Sequence, residues 1–519
     1  MAYWAKAPAE REQLVLFATR LDDAIGEDHP VRLLDEILAA LDWSEWERPY
    51  CGVAGQPAIH PRVMAGAILY GLTVGVRTSR KLEEACGNRV DFMWLVEGRR
   101  IDHSTFAKFR KDFGRPIKEL FKQVGRLAMK MGLVRLNSVA LDGTRMRANS
   151  SRHATASAKT LEERLARMDG EIERLMAEAH QAEEAEQKLF GDAASPSRLP
   201  RELANVKKRQ EALGRALKSA READARRAER GESKKGPVAV PVADPDSVVM
   251  PNKEGGHAPN YGPLVAADAG SGVIVDADVL AESNECGATL ATVARIEEAF
   301  GSKPKQLLAD SNHGTGANLE KLEEAGVEAY IPVEVQETPA SVRREDGSVA
   351  VAQSQWPNLP RSPQTRKLDK SAFLYDRGCD CYWCPAGRRL DYDKTAKHSR
   401  EGGEAVYRIY RCGGCAGCPL GVACLSEGRA VRTVRRDQHE ERREAMRARM
   451  ASAEGKAAYR RRAPVVEGTF GVLKSVLGVR QFLMRGMKDV KTEWFWVCTA
   501  FNLRKLMGAL RAGTAAAGL

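Results

Sequence analysis

From His29-Pro30 to about Met131, apolar residues recur at three- and four-residue intervals with short polar connections, which predicts a compact all-helical domain. Pro30 and Pro61 suit first-turn positions. Thr78 can cap the helix around Leu82, and Asp102 or Ser104 the helix carrying Phe106, Phe109 and Phe113. At Asn137-Ser138-Val139-Ala140-Leu141-Asp142-Gly143-Thr144 the period shifts towards alternation and predicts a strand that carries Asp142 at or near its end. Asp-Gly is also a hairpin signal, so a turn is the alternative for Asp142.

Two heptad-like stretches follow. Leu161, Leu165, Met168, Ile172 and Leu175 form the first, and Leu203, Val206, Leu213, Leu217 and Ala220 the second; the Pro- and Ser-containing break at 194–200 makes an antiparallel helical hairpin the simplest arrangement. A linker with Pro237, Pro241 and Pro245 leads to strands over 261–267 and 272–280, a helix over 290–300, a strand over 305–310 ending on Asp310, a helix over 316–325 and a strand over 328–333. The order strand, strand, strand, helix, strand, helix, strand describes an α/β fold with a mixed sheet. Val466, Phe470, Leu473 and Leu477 then predict a late amphipathic helix. Glu467, Gly471 and Lys474 lie on its neighbouring stripe, where a solvated face is the ordinary explanation.

The predicted organisation is a helical domain at 1–135, a first core strand at 136–155, an inserted helical hairpin at 156–235, the continued core at 236–335, a cysteine-rich insertion at 336–435, the closing part of the core at 436–510 and a tail at 511–519. Charge adds a partner. Lys and Arg number 81 against 70 Asp and Glu, for a net charge of +11, which suits a polyanion such as DNA. Arg77, Arg80, Lys81, Lys108, Arg110 and Lys111 cluster at two helix starts of the first domain, where a helix-turn-helix unit would meet DNA. No apolar run of signal-peptide or membrane-spanning length occurs, so the expected location is the cytoplasm, with nucleoid association on DNA.

Seven of the 11 cysteines fall between Cys379 and Cys424, and in a reducing compartment such crowding argues for metal rather than disulfides. The run Cys412-x-x-Cys415-x-x-Cys418-x5-Cys424 suits tetrahedral Zn²⁺, with an iron–sulfur cluster or free thiols as the alternatives. Arg429, Arg432, Arg435, Arg436, Arg442 and Arg443 follow, in a stretch able to track a DNA backbone. Cys51, Cys86, Cys286 and Cys498 read as buried packing residues. Sites on α/β sheets form at strand C-termini, where Asp310 falls. If Asp142 lies beside it and Glu467 is added by the late helix, three carboxylates converge. Such hard ligands suit two Mg²⁺ or Mn²⁺ ions, about 3.5–4 Å apart, for phosphodiester cleavage.

At these residues the chain resembles bacterial insertion-sequence transposases of the DDE class, in the branch with an InsH-type helical N-terminal domain. The stretches that carry the resemblance are Ile101-Asp102-His103-Ser104-Thr105-Phe106-Ala107-Lys108-Phe109-Arg110, Asp142-Gly143-Thr144, Leu308-Ala309-Asp310, Val466-Glu467-Gly468-Thr469-Phe470-Gly471-Val472-Leu473-Lys474, and Arg485-Gly486 with Glu493-Trp494 and Phe501-Asn502-Leu503-Arg504-Lys505-Leu506. The resemblance implies an RNase H-like core in which Asp142, Asp310 and Glu467 are catalytic and hold two Mg²⁺ or Mn²⁺ ions. It also implies an N-terminal domain that binds terminal inverted repeats through residues such as Arg80, Lys108 and Arg110, and a homodimer on DNA. The family's Tyr, Arg, Glu, Lys signature falls on Tyr459, Arg462, Glu467 and Lys474, expected near the scissile phosphate. Four residues separate Arg462 from Glu467 where the common pattern has three, so Arg461 and Arg462 are both candidates. Ser311-Asn312-His313-Gly314 departs from the family's small residue, Gly and Tyr after the second acid. For zinc, the resemblance favours Cys384, Cys415, Cys418 and Cys424 and leaves Cys379, Cys381 and Cys412 surplus. The function implied is cleavage at element ends by metal-activated water and transfer of the 3′-hydroxyl to target DNA. A transposase-derived DNA-binding protein without activity, or a structure-specific RNase H-like nuclease, are the alternatives.

Overall fold

A computed structural model describes residues 20–50, 58–190, 201–229, 236–252, 255–282, 285–333, 349–400 and 403–513. Cys51, the break at 194–200 and most of the 229–236 linker lie outside them. The described residues open with seven α-helices, α1 (Pro30–Ala39), α2 (Ser44–Glu47), α3 (Pro61–Thr73), α4 (Ser79–Asn88), α5 (Val90–Leu95), α6 (His103–Asp112) and α7 (Gly114–Lys130). Their starts follow the sequence signals: Pro30 and Pro61 occupy first-turn positions, the Thr78 hydroxyl accepts from the Lys81 amide, and the Asp102 carboxylate accepts from the amides of Ser104 and Thr105.

The α/β core begins with β1 (Ser138–Gly143) and two short pieces, β2 (Met146–Arg147) and β3 (Thr155–Ala156). Helices α8 (Ala158–Phe190) and α9 (Arg201–Glu229) follow, then β4 (Val240–Pro241), β5 (Val248–Pro251), β6 (His257–Asp268), β7 (Ile274–Leu280), α10 (Ala288–Phe300), β8 (Gln306–Leu308), α11 (Gly316–Glu324) and β9 (Glu328–Tyr330). In the central sheet β7, β6, β1, β8 and β9 lie side by side, with β6 antiparallel to β1 and β7, and with β8 and β9 parallel to β1. Asp142 pairs with Val265 inside this ladder and is therefore a strand residue, not a hairpin turn. The α8–α9 hairpin is antiparallel, since Glu162 meets Arg221 at one level and Asp169 meets Gln210 further along. It is closed at its base by the β3–β4 pair.

The cysteine-rich segment forms its own antiparallel sheet, β10 (Leu374–Asp376), β11 (Cys381–Trp383), β12 (Arg389–Arg400), β13 (Gly403–Cys412) and β14 (Thr433–Asp437) in that order, with a short helix α12 (Gly421–Cys424) and a separate core around Tyr382, Leu390 and Tyr410. The chain then returns through α13 (Glu440–Ala451), α14 (Ala453–Arg460) and α15 (Arg462–Gly471), a π-helical turn at Val472–Val476, and α16 (Met487–Arg511). The middle of α16, Trp494 to Leu503, is apolar on nearly every side, and such a stretch belongs inside. Trp494, Trp496, Phe501, Leu503 and Leu506 are each at most 1% exposed, and burying a side chain of this size contributes about 1.5–3 kcal/mol. It packs against α3, α7 and β7, tying the helical domain to the sheet. Buried Asn502 closes the joint: its amide nitrogen donates to the Ile274 carbonyl and its oxygen accepts from the Ile274 amide, both at 2.8 Å. Among the described residues no helix is long and apolar enough to cross a membrane.

Candidate active site

Strand register brings the two aspartates together. Ala140 pairs with Leu308 across the parallel β1–β8 ladder, and Asp142 and Asp310 each lie two residues further on. Side chains alternate faces along a strand, so both acids emerge on the face of Ala140 and Leu308 at the C-terminal end of the two strands. The same face is covered by Val466 of α15 and Ala458 of α14, which pack on Ala140, Leu308 and Tyr330. Arg462 precedes Val466 by one helical turn and so points the same way. Its guanidinium meets Asp142 Oδ1 at 2.9 Å and is 14% exposed. Arg461 points elsewhere and donates to Gln306 Oε1 at 3.0 Å.

Burial, reinforced by Asp310 and Glu285, holds the Asp142 carboxyl above its ordinary range although Arg462 opposes the shift. The Tyr459 phenol, hydrogen-bonded to Arg462, is likewise pushed up by burial, with Arg462 opposing and both aspartates adding to it. Asp310 caps the single-turn helix Ser311–His313 by accepting from the Asn312 amide at 3.0 Å. Lys474, in the π-helical turn, donates to Thr144 Oγ1 at 2.5 Å, two residues beyond Asp142. Glu467 follows Val466 and is exposed. Asp142, Asp310, Tyr459, Arg462 and Lys474 thus gather at one end of the sheet, with Glu467 on the covering helix. Among the described residues no three carboxylate or imidazole donors here lie within 4.8 Å of one another.

Two residues at this place carry no periodic or motif signal of their own. Glu285, from the connection between β7 and α10, places its carboxylate against Gly143, where a Cβ would overlap it. His313 lies fully buried with Nε2 3.7 Å from Glu285 Oε2 and 3.8 Å from Asp310 Oδ1. The only sequence pointer was the departure at Ser311-Asn312-His313-Gly314.

The basic residues divide into two groups. Arg80 and Lys108 are exposed on α4 and α6. Arg77 and Arg110 are not: Arg77 donates to the carbonyls of Gly478 and Gln481 at 2.6 and 2.7 Å and meets Glu493, and Arg110 donates to the Arg77 carbonyl at 2.5 Å. Burial lowers Arg110 to about 10, and its Nε and Nη2 are enclosed. The expectation that these two are exposed DNA contacts is corrected by α16, which buries them with Glu493. Of the later arginines, Arg429 and Arg435 are exposed. Arg432 instead donates to the carbonyls of Cys424 and Leu368, Arg436 forms a bidentate pair with Glu444, Arg442 meets Glu320 and Glu323, and Arg443 meets Asp437 and Glu440.

Cys384, Cys415, Cys418 and Cys424 line one cavity of about 20 Å³, and Cys412, part of the spacing run but surplus to the four the resemblance favours, lines it with them. The volume suits an ion rather than an organic ligand. Backbone amides of Arg388 and Arg432 donate to the sulfurs of Cys384 and Cys415 at 3.2 and 3.4 Å, the kind of support that orients metal thiolates. Burial pushes the Cys412 and Cys424 thiols up to about 11. The five sulfurs line the cavity without closing it, since no three lie within 4.8 Å of one another. Cys379 and Cys381 are joined as a disulfide, where the crowding of cysteines predicts metal. They flank Asp380, whose φ of 46° makes a tight turn, and their Cα atoms stand 5.5 Å apart, a spacing a disulfide bridges. With Asp376 they also make a group of three donors within 4.8 Å of one another, a set that could hold an ion when the thiols are reduced. Cys86 and Cys498 are buried as expected, while Cys286 is partly exposed.

The architecture is thus a helical domain joined to an α/β core that presents paired aspartates at its strand ends. Residues 383–507 match the family described as Transposase DDE domain, and residues 19–112 match Transposase domain (DUF772). Both matched families are transposase domains, and together they support an insertion-sequence transposase of the DDE class. The first covers Arg462, Glu467 and Lys474; the second covers α1 to α6. A search of curated proteins found no match to the chain.

Proposed function

We propose that the protein binds the terminal inverted repeats of an insertion sequence, hydrolyses phosphodiester bonds at the element ends and joins the freed 3′-hydroxyl to target DNA as a DNA-bound homodimer. The observation that carries this reading is the in-register pair Asp142 and Asp310, covered by the helix that bears Arg462 and Glu467. The sheet order around that pair, with two antiparallel strands on one side of β1 and two parallel strands on the other, supports an RNase H-like core.

The donor set fits a divalent cation. Asp142 and Asp310 are hard oxygen ligands whose mutual repulsion and partial burial favour a positive charge between them. Mg²⁺ or Mn²⁺ held by Asp142, Asp310 and Glu467 would polarise the scissile phosphate and make water a nucleophile at neutral pH. Arg462 and Tyr459 orient the phosphate beside Asp142, and Lys474, anchored on Thr144, offsets charge that develops on the phosphate oxygens. Arg80 and Lys108 contribute to holding the repeats. A structural Zn²⁺ in the thiol-lined cavity, on Cys384, Cys415, Cys418 and Cys424, secures the cysteine-rich module.

The test is incubation of the full chain with Mg²⁺ and a duplex carrying the inverted repeat that flanks the reading frame, together with a plasmid target. The expected products are nicked ends and plasmid-joined DNA. Cutting without joining would mark a nuclease, and specific binding with neither product would mark an inactive DNA-binding protein.

A further inference from the structure

His313 is enclosed completely, and its ring is held at Nδ1 by a hydroxyl. Nδ1 lies 2.9 Å from Thr289 Oγ1. The Thr289 hydroxyl donates its hydrogen to the Cys286 carbonyl at 3.0 Å. With that hydrogen given away, the oxygen is an acceptor for Nδ1–H, the tautomer that leaves Nε2 with a lone pair. Asn318 braces the arrangement by donating to the carbonyls of Cys286 and His313 at 2.8 and 3.0 Å. A ring whose far nitrogen is tied to a hydroxyl, with its near nitrogen free, is built like a metal-ligating histidine.

Nε2 has no hydrogen-bond partner although it is buried. It faces two carboxylate oxygens, Glu285 Oε2 at 3.7 Å and Asp310 Oδ1 at 3.8 Å. These distances are too long for hydrogen bonds, but they are on the order of the spacing between two ligands of one cation bound at about 2.0–2.2 Å from each. Glu285 is 17% exposed and seated on Gly143, so its carboxylate is held at this place.

We propose that His313 Nε2 and Glu285 form, with Asp310, a divalent-cation position of mixed nitrogen and oxygen donors beside Asp142. The proposal rests on the reading of Asp310 as a cation ligand. Glu285 and Asp310 flank the nitrogen, and no three donors lie within 4.8 Å of one another, so one carboxylate meets the cation directly and the other through water. An imidazole ligand suits Mn²⁺ better than Mg²⁺, which keeps to oxygen. The position therefore gives this chain a preference for Mn²⁺ that carboxylates alone would not.

The experiment is Mn²⁺ titration of the full chain followed by electron paramagnetic resonance, with pulsed measurement of nitrogen coupling to the bound ion. Wild type is expected to show histidine nitrogen coupling, His313→Gln to lose it, and Glu285→Gln to bind Mn²⁺ at least about tenfold more weakly. Absence of nitrogen coupling in wild type, its persistence in His313→Gln, or unchanged Mn²⁺ affinity in Glu285→Gln overturns the proposal. Glu285→Gln removes a partly exposed charge and keeps the test open if the buried histidine variant fails to fold. DNA cleavage in the same preparations is scored separately: nitrogen coupling without cleavage sustains this site and removes the transposase chemistry, and cleavage without nitrogen coupling does the reverse.

Discussion

Two adjacent arginines separate cleanly at the residue scale. Arg462 lies one helical turn before Val466 and is driven onto Asp142, whereas Arg461 is rotated towards Gln306. Arg462→Ala is expected to lower the single-turnover cleavage rate about 100-fold with little loss of DNA affinity, while Arg461→Ala stays within a few fold of wild type. Asp142 gives a second expectation. Its folded-state pKa lies above the unfolded value, chiefly through burial, so the stabilisation linked to its proton is present at acid pH and is lost as the pH rises through the raised value. In chelator at neutral pH, Asp142→Asn should melt above wild type, and the two curves should converge as the pH falls below the carboxylate range. A lower melting temperature for the variant at neutral pH would contradict this.

Elements show how far the sequence reaches. Helix starts, the α8–α9 pairing and the strand order were legible because each rests on a local period or cap: Thr78 and Asp102 bond the amides their positions announce. The aspartate pair was legible in part, since each acid sits at the end of an apolar strand, but only the register of β1 on β8 sets them level. Glu285 and His313 reach the site from separate connections, with no spacing that relates them. Arg77 and Arg110 look like surface charges because composition carries no sign of the helix that later covers them. Cys412 stands in the spacing run that suits zinc and is surplus only to the four cysteines the resemblance favours; the fold sets it in the same cavity. For the module, about one zinc per chain is expected by elemental analysis, lost in Cys384→Ser and Cys415→Ser and retained in Cys379→Ser, because the Cys379–Cys381 pair stands outside the cavity.

Across the whole molecule, α16 makes the helical domain and the sheet one body. Trp46 of α2 packs on Trp496, whose indole nitrogen donates to the Arg110 carbonyl, while the Trp494 indole donates to Leu264 on β6. The helical domain is thereby packed on β6, the strand that pairs with the one carrying Asp142. Asn502→Leu leaves both backbone groups of Ile274 without partners and should destabilise the chain by roughly 2–4 kcal/mol in denaturant unfolding.

The central claim is that the aspartates at the ends of β1 and β8 perform the cleavage chemistry. The most direct measurement is the Mg²⁺-dependent single-turnover rate on a repeat-bearing duplex for wild type, Asp142→Asn and Asp310→Asn, with DNA binding matched. Both variants are expected to bind like wild type and cut at least about 10³-fold more slowly; cleavage near the wild-type rate in either one would contradict the account.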